Sequence, residues 1–179
     1  QNTFSYRNFT LAASIDFQGG WQFFSRTKLL AAKTGLALET AAINENGKNV
    51  RDPLADGGGV KVNGISAATS QEVTAFVDAQ KYYTAIGTKA YNLFLYDASY
   101  VKLREVRLGY TFSKKDFAKL PASSVNLAFT VRNPMMIWQK APKGLDPSEL
   151  SSGSSGLTWN ESGELQSVRS FGLNLNVTF

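Results

Sequence analysis

The sequence predicts an all-β membrane protein, because apolar residues alternate along its strands, short and long connections alternate between them, and aromatic residues mark strand ends. The clearest strand is 167–179, where every second residue from Phe171 to Phe179 is large and apolar. Successive side chains of a strand point to opposite faces, so this strand has one apolar face and one polar or small face. Transmembrane barrel strands carry this alternation over roughly ten residues, whereas a soluble sheet would place its apolar face on a core.

Four further segments show the same alternation, the first of them only as a short run. In each, apolar residues hold every second position and the residues between them are mostly polar or small. The five predicted antiparallel strands cover about residues 1–7, 9–18, 99–112, 123–137 and 167–179.

The connections between these strands alternate in length. Residues 7–8 and 113–122 form short turns, whereas residues 19–98 and 138–166 form long loops. Outer-membrane barrels have short periplasmic turns and long extracellular loops. The alternation therefore predicts that both long loops are extracellular.

Aromatic residues lie near both ends of the predicted strands. Aromatic girdles at the two membrane interfaces are typical of such barrels, although ordinary enrichment of aromatic residues in strands is the alternative. The periplasmic set is Tyr6, Phe9, Tyr110, Phe112 and Phe179, and the opposite set is Phe17, Trp21, Tyr100 and Trp138.

The composition narrows the range of functions. The chain has 179 residues, a formal net charge of +5 and only 18% charged residues, and it contains neither cysteine nor histidine. These absences exclude a disulfide scaffold and a thiolate metal site, and remove the commonest general base. We find no Ser-His-Asp set, zinc-protease motif or phosphate-binding glycine loop, so we predict no enzymatic activity and no cofactor. No DNA-binding motif accompanies the positive charge, and no apolar run reaches the ~18 residues of a transmembrane helix.

The first long loop is predicted to contain two helices. Residues 28–42 are rich in leucine and alanine, and Thr69–Glu72 resembles a capping box that would start a second helix ending near Tyr82 and Tyr83. Packing on the barrel rim is the simpler role for both tyrosines, and contact with a ligand or partner is the alternative. Trp159, in the second long loop, fits either role equally.

Four charged residues fall on the polar faces of the predicted strands. In a barrel these side chains would face the lumen, where Arg107 or Arg132 could pair with Glu105. The predicted lumen-facing residues are Asp16, Glu105, Arg107 and Arg132.

The stretch Asp97–Phe112, DASYVKLREVRLGYTF, resembles a segment near the C-terminus of SusC/RagA-type TonB-dependent transporters. The order of the segments after it is also similar, and only residues 41–70 resemble the family weakly. Pro134 departs from the family, which often has an apolar residue there. The further matching segments are Ser113–Lys115, Val125–Asn133, Met135–Trp138, Gly144–Pro147 and the strand ending at Phe179.

The resemblance implies the last five antiparallel strands of a 22-stranded transmembrane β-barrel with helix-containing extracellular loops, in the outer membrane of a Gram-negative bacterium. Five strands cannot close a membrane barrel, since the smallest have about eight, so we expect a longer protein to supply the remainder of the barrel and a plug. The implied partners are a SusD-like surface lipoprotein, TonB acting through the absent N-terminal part, the lipid bilayer, and an imported oligosaccharide or peptide. No nucleic acid is implied. The lumen-facing charges would then pack mainly against the plug.

The terminal strand also resembles a barrel-assembly signal, which ends in or near an aromatic residue. An exposed edge strand with an apolar row offers an assembly machine both backbone pairing and side-chain pockets. The residues that fit the signal are Ser170, Gly172, Leu175, Val177 and Phe179.

Two alternatives remain at this stage. A soluble all-β carbohydrate-binding module would bury the apolar rows, but a loop as long as residues 19–98 is rare in a compact domain. A porin-type barrel that does not use TonB is disfavoured by the resemblance of Asp97–Phe112.

Overall fold

A computed structural model describes residues 1–117, 121–150 and 159–179. Residues 118–120 of the predicted short turn and 151–158 of the predicted second long loop lie outside the described residues. The chain forms two compact units, which we call the sheet unit and the loop unit. The sheet unit comprises Gln1–Phe23, Tyr96–Ser152 and Glu164–Phe179, and the loop unit comprises Phe24–Leu95 and Gly153–Gly163.

Strands are the main secondary structure in the described ranges, joined by two α-helices and short 3-10 turns. Neither α-helix there is long and apolar enough to cross a bilayer. In chain order the elements are β1 Asn2–Tyr6, β2 Phe9–Gln18, β3 Gln22–Ser25, α1 Arg26–Thr34, β4 Val60–Ile65, β5 Glu72–Val77, α2 Ala79–Lys89, β6 Leu95–Asp97, β7 Tyr100–Ser113, β8 Ser124–Gln139, β9 Asn160–Glu161 and β10 Ser170–Thr178.

The sheet unit is built on a five-stranded antiparallel sheet with the order β1-β2-β7-β8-β10. The prediction of a mostly β-strand fold is confirmed, and the strands begin and end within about three residues of the predicted bounds. Tyr6 pairs with Phe9, so Arg7 and Asn8 form a tight turn, in which Arg7 has a φ of 53°. The strands flanking the long loop 19–98, β2 and β7, also pair directly.

The apolar rows of this sheet are exposed. Leu173 in β10 is 72% exposed and Phe17 in β2 is 71% exposed, and the rows of β7 and β8 are exposed or half-buried. On the opposite face, small residues such as Ala12 and Ala128 are buried among longer polar neighbours. The sheet therefore presents a continuous apolar surface with no protein layer from the described residues packed on it.

A β-bulge in β7 keeps this apolar surface continuous. Glu105 and Leu103 pair with consecutive residues of β2, so Arg104 is an extra residue between them. The register with β8 shifts at the same level, where Asn133 has a φ of 49°. Because the bulge adds one residue, Leu103 and Val106 face the same side although they are three positions apart.

The loop unit has its own core, and its first helix is shorter than predicted. α1 begins after Ser25, whose hydroxyl accepts from the Lys28 amide at 3.1 Å, and ends at Gly35 in the left-handed conformation with a φ of 78°. Glycine tolerates this conformation, so it stops the helix well before the predicted end at residue 42. A 3-10 turn, Leu38–Ala41, follows. The buried core residues are Leu29, Ala32, Val50, Ala79, Tyr83 and Phe94.

The predicted helix start at Thr69–Glu72 is wrong. Strand β5 begins at Glu72 and pairs along its length with β4 as a hairpin. Valine, threonine and phenylalanine favour a strand when a partner is available, and the pairing overrides the helical spacing. The helix starts later, at Ala79, and is capped by Asp78, whose carboxylate accepts from the Lys81 amide at 2.9 Å.

Gly58 is required by close backbone packing in the loop unit. A Cβ at this position would lie 2.0 Å from the carbonyl oxygen of Asp52, which is too close for any side chain. We expect Gly58→Ala to destabilise the loop unit by roughly 1–3 kcal/mol, because the backbone must shift. Hydrogen exchange of amides in the β4–β5 hairpin would measure this, with Gly64→Ala as the control, because that Cβ would meet nothing within 4 Å. Equal exchange in the two variants would contradict the packing argument.

Candidate functional site

The polar face of the sheet forms a concave surface enclosing about 550 Å³. Most of its lining residues hold the polar-face positions of β7, β8 and β10, which strand alternation places on one side, and Phe171 of the apolar row lies at its border. Amide, hydroxyl and charged groups dominate, so the surface suits water or a polar solute. The lining residues are Glu105, Arg107, Thr130, Arg132, Ser170, Phe171, Gly172, Asn174 and Asn176.

Three of the residues predicted to face a lumen line this surface. Arg132 donates from Nε to the Glu105 carboxylate at 3.1 Å across β7 and β8. This pair is largely exposed and stabilises the sheet little. Arg107 has no ion-pair partner among the described residues and is exposed. Its charge is therefore available to a group outside this chain.

Asp16, the fourth predicted residue, lies on the same face but in a separate cluster. Its Oδ2 accepts from the Tyr100 hydroxyl at 2.8 Å and from the Arg104 guanidinium at 2.8 and 3.0 Å. The bulge in β7 places Arg104 on the polar face with Tyr100. The Arg104 guanidinium also reaches Glu149 at 2.6 Å, so it bridges two carboxylates.

Lys102 joins this cluster and is almost fully buried, with 3% of its surface exposed. Its ammonium lies 2.8 Å from Asp146 and 3.1 Å from Glu149. Burial raises the pKa of both carboxyl groups, but hydrogen bonds outweigh it and lower each pKa below its ordinary value. These hydrogen bonds come from Lys102 and Ser148 for Asp146, and from Arg104 and Lys102 for Glu149. Both groups are therefore anionic at neutral pH.

Lys102 and Arg104 were not among the residues predicted to face a lumen. Strict alternation from Glu105 backwards places both cations on the apolar face, and the bulge reverses this. The signal in the sequence is the three-residue step between Leu103 and Val106, since every other step in this apolar row is two.

Asp97, at the start of the segment that resembles the transporter family, forms an exposed ion pair outside the main sheet. Lys140 donates to its Oδ2 at 2.8 Å, and Ser99 donates to its Oδ1 from the amide at 2.8 Å and from the hydroxyl. The Lys140 hydrogen bond, with those from Ser99, lowers the pKa of Asp97 to about 2. The pair ties the end of β6 to the residue that follows β8.

The predicted loop contacts differ in accessibility. Tyr83 is buried in the core of the loop unit, its hydroxyl donates to the Glu39 carbonyl at 2.7 Å, and burial raises its pKa. Tyr82 is half-buried and packs edge to face on Tyr83. Trp159 is 45% exposed beside Phe24, so it is the most accessible of the three candidates.

Glu161 is a buried carboxylate that sequence reasoning missed. It accepts hydrogen bonds from the Ser25 hydroxyl, the Thr27 hydroxyl at 2.5 Å and the Gly163 amide at 2.7 Å. The N-terminus of α1 also favours a negative charge. Glu161 therefore holds residues of the second long loop against the first, where β9 pairs in parallel with β3.

The residues that fit the assembly signal all lie in or directly after β10. This strand pairs with β8 at every position from Ser170 to Thr178, and Phe171 stacks on Phe129 with ring centroids 6.2 Å apart. Phe179 is 84% exposed. In the described part of the chain, the other edge of β10 is unpaired.

No group of three or more histidine, cysteine or acidic residues that could hold a metal occurs within residues 1–117, 121–150 and 159–179.

Comparisons with known proteins show the fold. No protein-family model matches the chain, and no curated protein matches its sequence. Solved structures of the RagAB peptide importer match over 98% of this chain with a TM-score of 0.57, at 14% identity for the closed-closed state and 13% for the open-open state. The chain covers 16% of the length of each matched chain. At this identity, the match establishes a shared fold with part of an importer structure.

Proposed function

We propose that this chain forms part of the wall of a TonB-dependent outer-membrane transporter of the SusC/RagA type. In this proposal the five-stranded sheet is the last part of a 22-stranded barrel, with its apolar face toward lipid and its polar face toward the lumen. The protein imports oligosaccharides or peptides together with a SusD-like lipoprotein. Similarity to a peptide importer favours peptides.

The observation that carries this proposal is the exposure of the apolar rows. Leu173 and Leu175 are 72% and 62% exposed in a regular strand that pairs with β8 along its whole length. Monomeric soluble proteins rarely expose contiguous apolar patches above a few hundred Å², so this face requires an apolar environment. A soluble carbohydrate-binding module would instead bury these residues in a core.

The loops and the polar face support the same function. Both long loops leave the sheet at the Tyr100 end of β7, whereas both short turns lie at the other end. This separation is typical of outer-membrane barrels. The exposed Arg107 guanidinium lies on the polar face, where a plug would supply carboxylates.

Spin labels on neighbouring residues of β10 would test the assignment of the two faces. In the full-length transporter in bilayers, we expect a label at Leu175 to collide with oxygen dissolved in the lipid. A label at Asn176 should instead collide with a water-soluble nickel chelate or be shielded by the plug. Access of the nickel chelate to position 175 but not 176 would overturn the proposal.

A further inference from the structure

Both arms of the second long loop converge on the buried Lys102 ammonium. The outgoing arm supplies the Asp146 carboxylate at 2.8 Å, the Ser148 hydroxyl at 2.8 Å and the Glu149 carboxylate at 3.1 Å. The returning arm supplies the Ser167 hydroxyl at 2.7 Å. The ammonium thus meets four acceptors but has three protons to donate, and all four acceptors lie between β8 and β10.

The outgoing arm also has an apolar attachment. Leu145 and Ala141 are buried in a small core with Phe23 and Ala98. Asp146 accepts from the Ser148 amide at 3.0 Å and so caps the 3-10 turn that carries Glu149. The segment is therefore ordered by its own turn and held at two points, one apolar and one ionic.

The ionic attachment places the segment on the polar face of the sheet. Asp16 and Lys102 are direct partners across β2 and β7, so Lys102 lies on the same face as Asp16. Arg104, on the same face, binds Asp16 and Glu149 together. The segment thus lies against the polar face at the end where the long loops leave.

We propose that Ala141–Leu150, which we call the strap, is a fixed constriction at the mouth of the transport path, and that Lys102 is its positioning residue. This inference rests on the proposed transporter function, in which the polar face of the sheet lines the transport path. The strap narrows the path on this side of the barrel and so limits the size of the solutes that pass.

Lys102 positions the strap because its positive charge lies between the carboxylates of Asp146 and Glu149. The cluster holds two cations, Lys102 and Arg104, among the carboxylates of Asp16, Asp146 and Glu149. Without Lys102, three carboxylates share one guanidinium, and Asp146 keeps a half-buried charge with no cation beside it. Moving the two carboxylates of the strap into water relieves this without the uptake of a proton at Asp146 or Glu149.

Cysteine labelling of the strap tests the proposal. On a cysteine-free background of the full-length protein, Leu145→Cys places a thiol in the buried apolar core. We expect Lys102→Met to speed its reaction with a water-soluble maleimide by about tenfold or more, because loss of a buried ion-pair partner opens the strap. Lys102→Arg should restore part of the slow reaction.

The matched control is Lys140→Met, which removes the exposed ion pair with Asp97 and should leave the labelling rate unchanged. Asp146→Asn removes the main contact from the strap side and should speed labelling as Lys102→Met does. Equal labelling in Lys102→Met and its parent overturns the proposal, as does failure of both variants to assemble a heat-modifiable barrel. The spin-label experiment tests the transporter assignment separately. If Lys102→Met speeds labelling but the spin labels show water on the apolar face, the transporter assignment fails and the attachment of the strap by Lys102 stands.

Discussion

Arginine in place of Leu173 is expected to destabilise the assembled barrel by ~2–4 kcal/mol, the cost of this residue near the bilayer midplane. Leu173 lies in the middle of β10, pairs with Phe129 and is 72% exposed on the apolar face. Its environment in the proposed barrel is hydrocarbon, which cannot solvate a guanidinium. Urea titration of the full-length protein in bilayers, followed by heat-modifiability, would measure the effect.

Two controls separate lipid contact from mere exposure. Asn174→Arg changes the next residue, whose amide donates to the Thr130 hydroxyl at 3.2 Å on the polar face, and should cost much less. Leu38→Arg changes a residue of the loop unit that is 90% exposed, more than Leu173, and should cost almost nothing if that unit meets water. Equal destabilisation by Leu173→Arg and Asn174→Arg would show that the two faces of β10 do not differ in environment.

Loss of the terminal aromatic ring is expected to reduce the amount of assembled transporter several-fold. Phe179 extends past the last paired residue of β10, and its ring is 84% exposed. An assembly machine that pairs with the free edge of this strand would use the ring as an apolar anchor. The amount of heat-modifiable protein in outer-membrane fractions of cells expressing Phe179→Ala would report the loss.

Leu165→Ala is the matched control for the terminal residue. Leu165 is 94% exposed in the same unit but precedes β10, so its removal should leave assembly unchanged. If Phe179→Ala assembled as well as Leu165→Ala, the terminal strand would act only as a lipid-facing wall.

The alternation of apolar and polar residues predicted the main sheet, because each of its strands shows this alternation and pairs with a strand that shows it too. The strand 9–18 was predicted without error at either end, and the turn at Arg7 and Asn8 follows from a two-residue gap. The structure also pairs β2 with β7, although the long loop 19–98 separates them in the sequence. The five described strands form an open sheet, so closure into a barrel stays a proposal.

The candidate site was predicted only where the alternation is unbroken. Glu105 and Arg132 were placed on the polar face together, and they form an ion pair. Lys102 was missed, because its face is set by a bulge that depends on three neighbouring strands rather than on local spacing. The error at Glu72–Val77 has a similar cause, since the partner strand decides the structure of a segment whose spacing also fits a helix.

The extra residue at Arg104 means that the two halves of β7 are out of phase by one position. Deleting that single residue would remove the bulge and make Leu103 the direct neighbour of Glu105. Regular alternation would then keep Leu103 on the apolar face and Lys102 on the polar face. Arg104 is therefore a residue that the strand could lose without any other side chain changing face, and its deletion would remove the ion pairs with Asp16 and Glu149.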